Sequence, residues 1–494
     1  MERDTERYAA LDLGSNSFHL LLAEFRDQRM VRLHTDRAMV RLAEGLDEKR
    51  NLDPAVAERA LAAMRRFQPV LAELPTDHIR VVGTNTLRAA RADGFLETAE
   101  SILGAPIEII SGIEEARLIY TGVLAAADGP PRLRCTVDIG GGSTELVRGR
   151  EVPQQLQSLY MGCVSYHRRF FADGVIAGKN GGKKKSGNNF NRACRAARAE
   201  LQGLQHLADS AEVVGASGTV KSVARVLNGG DLEPIHRTDI DELAERVAAT
   251  ATIDDLDLPN LDEARRPIFA AGLAILHGIF SELRIEEMQV SPYAIREGIV
   301  HDLAGRLHGG DRRADTVANM MQRGQIDMDQ ARRVGDTAQD LLLQLCPDCS
   351  SEQLQRLRWA ARLHEFGLAL SHSSFRKLGA YMIEQADMAG FARAEQEHLA
   401  HLVRNQRGRL KPPREHYGFH PNPALTLCLR LACIVHRDHT DRSTRGLQLG
   451  GDKNHYRLRA EQAWLDQHPA IEDLLYQEVE RWRNEPVPLE LEAV

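Results

Sequence analysis

The alternation of hydrophobic and polar positions changes its rhythm along the chain. From Tyr8 to Leu13 an apolar run reads as a strand, Gly14-Ser15-Asn16-Ser17 interrupts it, and a second strand runs from Phe18 to Glu24. The same grammar returns at Arg134 to Ile139, Gly140-Gly141-Gly142-Ser143-Thr144, and Glu145 to Arg148. Asp12-Leu13-Gly14 overlies Asp138-Ile139-Gly140 at an offset of 126 residues, and Val81-Val82-Gly83-Thr84 overlies Val213-Val214-Gly215-Ala216 at 132. Two matched pairs in the same order predict two homologous α/β lobes facing one another across a cleft. The Lys/Gly-rich stretch near residue 180 accounts for the small difference in offset. Past about residue 305 the glycines thin out and a 3.6-residue period takes over, as at Ala331, Val334, Ala338, Leu341, Leu342 and Leu345. That pattern predicts an all-helical module. A short strand near Tyr456 to Leu458 and a final helix from Ala470 to Trp482 follow it.

Composition adds bounds to this picture. A chain of 494 residues exceeds one hydrophobic core, so roughly three or four domains are expected. The longest apolar run, Ile268 to Phe280, is too short to span a bilayer and reads as a buried helix, so no integral membrane segment is expected. The charged start lacks a signal-peptide apolar region, and seven scattered cysteines suit a reducing cytosol, so the expected location is cytoplasmic, with peripheral membrane association left open. The one CxxC, Cys346 and Cys349, has no second pair and reads as incidental. A net charge of -7 argues against a nucleic-acid-coated surface, yet it permits a polyanionic substrate, because steering depends on local potential. Positive charge concentrates in two places. One holds Lys179, Lys183, Lys184 and Lys185, and the other Arg404, Arg407, Arg409, Lys411 and Arg414.

The chemistry resides in the turns. A Gly-rich turn between strands aims successive backbone N–H groups at one point and forms an anion nest. Ser15, Ser17, Ser143 and Thr144 add hydroxyl donors. Asp12 and Asp138, at strand ends, suit a Mg²⁺ ion, which keeps several waters and uses few carboxylates, and Glu145 can support the same site. Ser111 caps a helix that carries Glu114 and Glu115 in its first turn. Either glutamate serves the helix dipole, or one activates water.

Seven ordered motifs, DLGSNSFH (from Asp12), VGTNTLR (from Val82), ISGIEEARLIY (from Ile110), DIGGGSTEL (from Asp138), MGCVS (from Met161), GASGT (from Gly215) and REG (from Arg296), resemble the exopolyphosphatase / guanosine pentaphosphate phosphohydrolase family. That family lies in the superfamily of sugar kinases, heat-shock chaperone ATPases and actin. The resemblance implies an α/β fold: two ribonuclease H-like (actin-like ATPase) lobes at 1–127 and 128–307, an all-α HD-like domain at 308–440, and a small C-terminal α+β piece at 441–494. It implies a homodimer and Mg²⁺-dependent release of terminal orthophosphate, with a monovalent cation such as K⁺ as a further candidate. Glu115 becomes the general base on the attacking water, and Asp12, Asp138 and Glu145 lie around the metal. Gly14, Ser15, Asn16, Ser17, Arg88, Gly140, Gly141, Gly142, Ser143, Gly215, Ser217, Gly218 and Thr219 line the phosphate site. Two departures stand out. Leu363-His364-Glu365 replaces the His-Asp of a metal-binding HD domain, although His372 remains, and the insertion GKNGGKKKSGNN at 178–189 is extra. The expected activity is exopolyphosphatase, with guanosine pentaphosphate 5′-phosphohydrolase as the alternative and a non-catalytic polyphosphate or nucleotide sensor as the reading from another class. Lys183, Lys184, Lys185, Arg404, Arg407 and Arg409 are the expected guides for a long polyphosphate chain.

Overall fold

The computed structural model describes the chain apart from residues 1–5, 27–28, 48, 128, 178–187, 414–420 and 453. It forms two compact units, Met1–Asp311 and Arg312–Val494.

The first unit is built on two sheets of the same plan. In one, the strands β1 (Arg7–Leu13), β2 (Ser17–Arg26), β3 (Arg29–Met39), β4 (Ile79–Gly83) and β5 (Ile107–Ile109) lie in the order β3-β2-β1-β4-β5. β1 to β3 are antiparallel neighbours, and β4 and β5 add in parallel. In the other, β6 (Arg134–Ile139), β7 (Thr144–Gly149), β8 (Pro153–Leu159), β9 (Glu212–Gly215), β10 (Ile235–His236) and β11 (Glu287–Val290) lie in the order β10-β11-β9-β6-β7-β8. β6 to β8 are antiparallel and β9 joins β6 in parallel. The registers coincide as well: Asp12 faces His19 across its hairpin as Asp138 faces Glu145 across the equivalent one. The repeat read from the sequence is therefore a repeat in space, and β4 and β9 are the matched strands that end in Gly83 and Gly215. β1, β4 and β6 are buried on both faces apart from strand ends, so they read as continuous apolar runs rather than alternating ones.

Two helices cross between the sheets, Gly112–Ala125 and Ile295–Leu307. A Cβ on Gly122 would fall 1.9 Å from the carbonyl oxygen of Ala294, and one on Gly298 would fall 1.8 Å from that of Leu118. The backbones thus touch, and no side chain fits at either position. Ionic bonds fix the angle. Arg117 makes a bidentate pair with Glu114 at 2.7 Å and reaches Asp302 at 2.5 Å, while Arg80 reaches Asp302 at 2.7 Å and Arg306 reaches it at 3.0 Å. Burial acts upward on Asp302, yet Arg117, Arg80 and Arg306 together hold its carboxyl well below the usual range.

The second unit is helical from Arg312–Arg323 to Pro423–Val435, including the 3.6-period segment at Met328–Leu345. It also contains a three-stranded sheet, β12 (Leu447–Gly451), β13 (Tyr456–Ala460) and β14 (Leu489–Ala493). One hydrophobic core runs from Val317 through Trp359 and Phe391 to Leu458 and Leu489, so the helices and this sheet bury the same apolar surface. The helix Pro469–Trp482 matches the expected one, whereas β12 and β14 had no sequence expectation. Among the described residues no helix is long and apolar enough to cross a membrane.

The glycine crossing yields a test. Gly298→Ala must push the two helices apart and should cost roughly 1–3 kcal/mol or more in denaturant unfolding. Gly94→Ala, on an exposed helix with no neighbour within 4 Å of its Cβ, should be neutral or slightly stabilising.

Candidate active site

The loops after β1 and β6 meet at the mouth of a cleft of about 290 Å³. Ser15 from the first loop sits against Gly141 of the second, and Asn85 packs so close to Gly142 that any Cβ there would collide with its side-chain amide. Gly14, Ser15, Asn16, Ser17, Gly140, Gly141, Gly142 and Ser143 all line this cleft, joined by Ser217 and Gly218 at the start of the helix Gly218–Leu227. Ser217 caps that helix by accepting from Val220 N at 3.1 Å. Three strand-to-loop or strand-to-helix junctions therefore present small residues and backbone donors to one space.

Glu114 and Glu115 part company here. Ser111 caps their helix by accepting from Glu114 N at 3.1 Å. Glu114 points inward, fully buried, and is spent on Arg117 and Arg80. Glu115 points into the cleft. Its Oε2 lies 3.5 Å from the Arg88 guanidinium, near enough for attraction but without a hydrogen bond's geometry, and among the described residues that buried oxygen has no hydrogen-bond partner. Burial raises the Glu115 carboxyl above its ordinary range, and Arg88 opposes the rise.

Other predicted residues lie behind the cleft rather than in its lining. Arg88 donates to Ile110 O and so stands between that backbone and Glu115. Glu145 is buried beside Asp138 and accepts from Ser158 Oγ at 2.9 Å. Thr219 donates to Ile139 O at 2.9 Å, and Gly215 leaves room for Val220 and Met288. Arg404 and Arg409 border a separate depression of about 370 Å³ in the second unit, and Arg407 belongs to another pocket there. Lys183, Lys184 and Lys185 lie outside the described residues.

The cleft also holds residues that carried no role in the sequence reading: His19, Arg37, Lys221, Arg225, Asp262, Arg265 and Arg296. Burial and the nearby cations Arg296 and Arg37 push His19 down to about 3, so it is neutral, hydrogen-bonded to Ser17 at 2.7 Å. Burial lowers the Lys221 ammonium to about 8, with Asp138 and Glu297 acting the other way. Lys221 stands one turn after Ser217, a spacing that could have marked it. Glu297 of the REG motif caps its own helix by accepting from Ala294 N at 2.8 Å and pairs with Arg32, which leaves Arg296 to the cleft.

The Ppx/GppA phosphatase family model matches residues 21–307, and the model for Ppx/GppA phosphatase, domain III, matches residues 312–479. A guanosine-5′-triphosphate,3′-diphosphate pyrophosphatase from Aeromonas hydrophila is 37% identical over 497 residues, covering 98% of each chain. Among solved structures, the Aquifex aeolicus PPX-GPPA enzyme aligns with a TM-score of 0.51 at 21% identity, over 60% of this chain and 98% of its own. An exopolyphosphatase from Cytophaga hutchinsonii aligns with a TM-score of 0.52 at 21% identity, over 62% and 98%. These structures share the fold.

The carboxylates of the cleft repel one another. Burial first, then Glu115, push Asp138 up to about 7, and burial with Glu115 does the same to Asp12. Glu145 is raised well above its ordinary value by burial, Glu115 and Asp138, and among the described residues its Oε2 has no hydrogen-bond partner. Among the described residues no three acidic, histidine or cysteine side chains converge tightly enough to cage a metal by themselves. A spread of desolvated, under-bonded carboxylates fits an ion that keeps most of its waters, as magnesium does. The repulsion has a sign that can be measured. A carboxyl whose folded pKa is raised binds its proton more tightly in the folded state, so stability falls as pH rises from its ordinary 3.8 towards about 7, then levels. In metal-free buffer at pH 8, Asp138→Asn should therefore be more stable than the parent, by on the order of 2–4 kcal/mol. Chemical denaturation at pH 5 and pH 8 should show the gain shrinking at the lower pH.

Proposed function

The chain belongs to the Ppx/GppA phosphatase family, and on that footing we propose that it hydrolyses the terminal 5′-phosphate of guanosine 5′-triphosphate 3′-diphosphate. The observation that carries the choice of substrate is the full-length relative of that activity, matched at 37% identity over 98% of both chains. Exopolyphosphatase, the first expectation from sequence, becomes the second reading. It keeps support from the cationic depression around Arg404, Arg409 and Lys411, which among the described residues no carboxylate lines.

In this reading Glu115 takes the proton of the attacking water as its oxygen bonds to the terminal phosphorus. The bond from that phosphorus to the bridging oxygen breaks, and orthophosphate leaves. A raised pKa suits a base working near neutrality. Arg88 holds the Glu115 carboxylate from behind, a positioning role. Backbone donors of the 14–17 and 140–143 loops cradle phosphate oxygens, and Lys221, Arg265 and Arg296 balance their charge. Asp12 and Asp138, backed by Glu145, would hold Mg²⁺ largely through water. That ion, when bound, neutralises charge building on the phosphate oxygens. A cytoplasmic homodimer, an HD-like ancestry for the second unit and a monovalent-ion requirement belong to the same reading.

Two experiments bear on it. Glu115→Gln should lower turnover by about 10²–10⁴-fold with no loss of unfolding free energy at neutral pH, since it removes a buried charge that raises Asp12, Asp138 and Glu145. Glu114→Gln should instead destabilise the fold by roughly 3–5 kcal/mol, because it leaves Arg117 buried and underpaired. Turnover retained in Glu115→Gln would remove that residue from catalysis. For the substrate, kcat/KM should be higher for guanosine 5′-triphosphate 3′-diphosphate than for long-chain polyphosphate, with Mg²⁺ present in both assays. The reverse order would return polyphosphate to first place.

A further inference from the structure

A second cavity of about 290 Å³ lies entirely within the Arg312–Val494 unit. Among the described residues four arginines border it, Arg376, Arg407, Arg437 and Arg481, and Glu478 is the one carboxylate in its lining. That carboxylate is already saturated. It accepts two bonds from the fully buried Arg430, a third from Trp482 Nε1 at 2.8 Å and a fourth from Arg481 at 3.1 Å. Nothing of it remains to balance the other arginines.

Two of those arginines, Arg376 and Arg407, are held in place. Arg376 donates to the backbone carbonyl of Arg407 and lies against Gly408, whose φ of +78 and missing side chain admit the guanidinium at 3.0 Å from where a Cβ would be. The Arg407 guanidinium stacks 4.6 Å above the Phe375 ring. Among the described residues neither Arg376, Arg407 nor Arg437 makes a salt bridge, and Arg437 makes no hydrogen bond either. Burial lowers the affinity of Arg376 and of Arg407 for their protons and neighbouring guanidiniums lower it further, while Cys433 and Glu365 act the other way on Arg407. Like charges held in a concavity are costly unless an anion completes the site. Arginine forks match phosphate oxygens two at a time.

We propose that this cavity is an anion site for a diphosphate group, separate from the catalytic cleft. Its volume lies near the lower edge of small-molecule sites, which start at about 300 Å³, and so suits two linked phosphates better than a whole nucleotide. The site stands independently of the substrate assigned above. The diphosphate can come from free inorganic pyrophosphate or from a nucleotide whose base stays outside, and these sources are separable.

Titration calorimetry of the full chain in metal-free buffer, with pyrophosphate as probe, tests the proposal. The double variant Arg376→Gln/Arg437→Gln should bind at this site about tenfold or more weakly, and Arg445→Gln, an exposed arginine outside the pocket, should match the parent. If the catalytic cleft also takes pyrophosphate, the variant keeps that site alone; if the phosphohydrolase reading fails, the variant keeps none. The two failures are thereby distinct. Arginine labelling with phenylglyoxal on the unmodified protein needs no variant to fold. Pyrophosphate should protect Arg376 and Arg437 and leave Arg445 reactive. GDP protecting equally at equal concentration assigns recognition to the diphosphate itself, and GDP protecting at far lower concentration assigns it to a nucleotide source. An unchanged isotherm in the double variant, or no protection at saturating pyrophosphate, overturns the proposal.

Discussion

The site depends on the contact of two backbones. Where Gly112–Ala125 crosses Ile295–Leu307, Gly122 and Gly298 remove the side chains that would hold the helices apart. Glu115 lies two turns before Gly122 on the first helix, and Arg296 lies two residues before Gly298 on the second. The crossing therefore fixes where a candidate base and a candidate phosphate cation stand relative to each other. Arg80, Arg117 and Arg306 converge on Asp302 and lock the angle with buried charge. A buried ion cluster seldom adds net stability over apolar packing, but breaking one member is expensive, and that asymmetry makes it a device for holding geometry.

Charge of the opposite effect fills the cleft. Burial raises the carboxyls of Asp12, Glu115, Asp138 and Glu145, Glu115 raises the other three further, and among the described residues one oxygen each of Glu115 and Glu145 is buried without a hydrogen-bond partner. Evolution would remove such a cluster from a purely structural core. Its presence beside two Gly-rich anion nests is understandable when a cation and a phosphate chain complete the balance. The exposed Arg37 and Arg225 and the half-buried Arg265 then meet the substrate before the carboxylates do. Strain of this kind is expected at a working site and is offset by the packing of the rest of the unit.

Much of this was legible in the chain. The two hairpins, the matched strands β4 and β9 and the Gly-rich loops that line the cleft follow from short-range patterns, because a strand ending in Gly/Ser/Thr has few conformations open to it. Side-chain direction was not legible. Glu114 and Glu115 share one helical turn and one chemistry, and it is the tertiary position of Arg80, joined by Arg117 one turn on, that holds the first inward. Arg37 sits on a mostly exposed edge strand rich in polar residues, where one more arginine carries no signal, and it reaches the cleft only because β3 pairs with β2. β12 and β14 alternate properly but are five residues long, and β14 pairs in parallel with a strand more than thirty residues away.

The net charge of -7 also takes on a more definite meaning. A polyanion approaching a uniformly negative surface would be repelled, and screening over a Debye length of roughly 8 Å limits what distant charges can do about it. Recognition must then rest on cations held close to the ligand. In the first unit these stand around the cleft as Lys221, Arg265 and Arg296, each near a carboxylate. In the second unit Arg376, Arg407 and Arg437 stand around a cavity whose single carboxylate is already saturated by other donors. The first arrangement is balanced to let a phosphate arrive, react and leave. In the second, Arg376 and Arg407 are held in place and the exposed Arg437 is unpaired among the described residues, an arrangement that would retain an anion rather than turn it over.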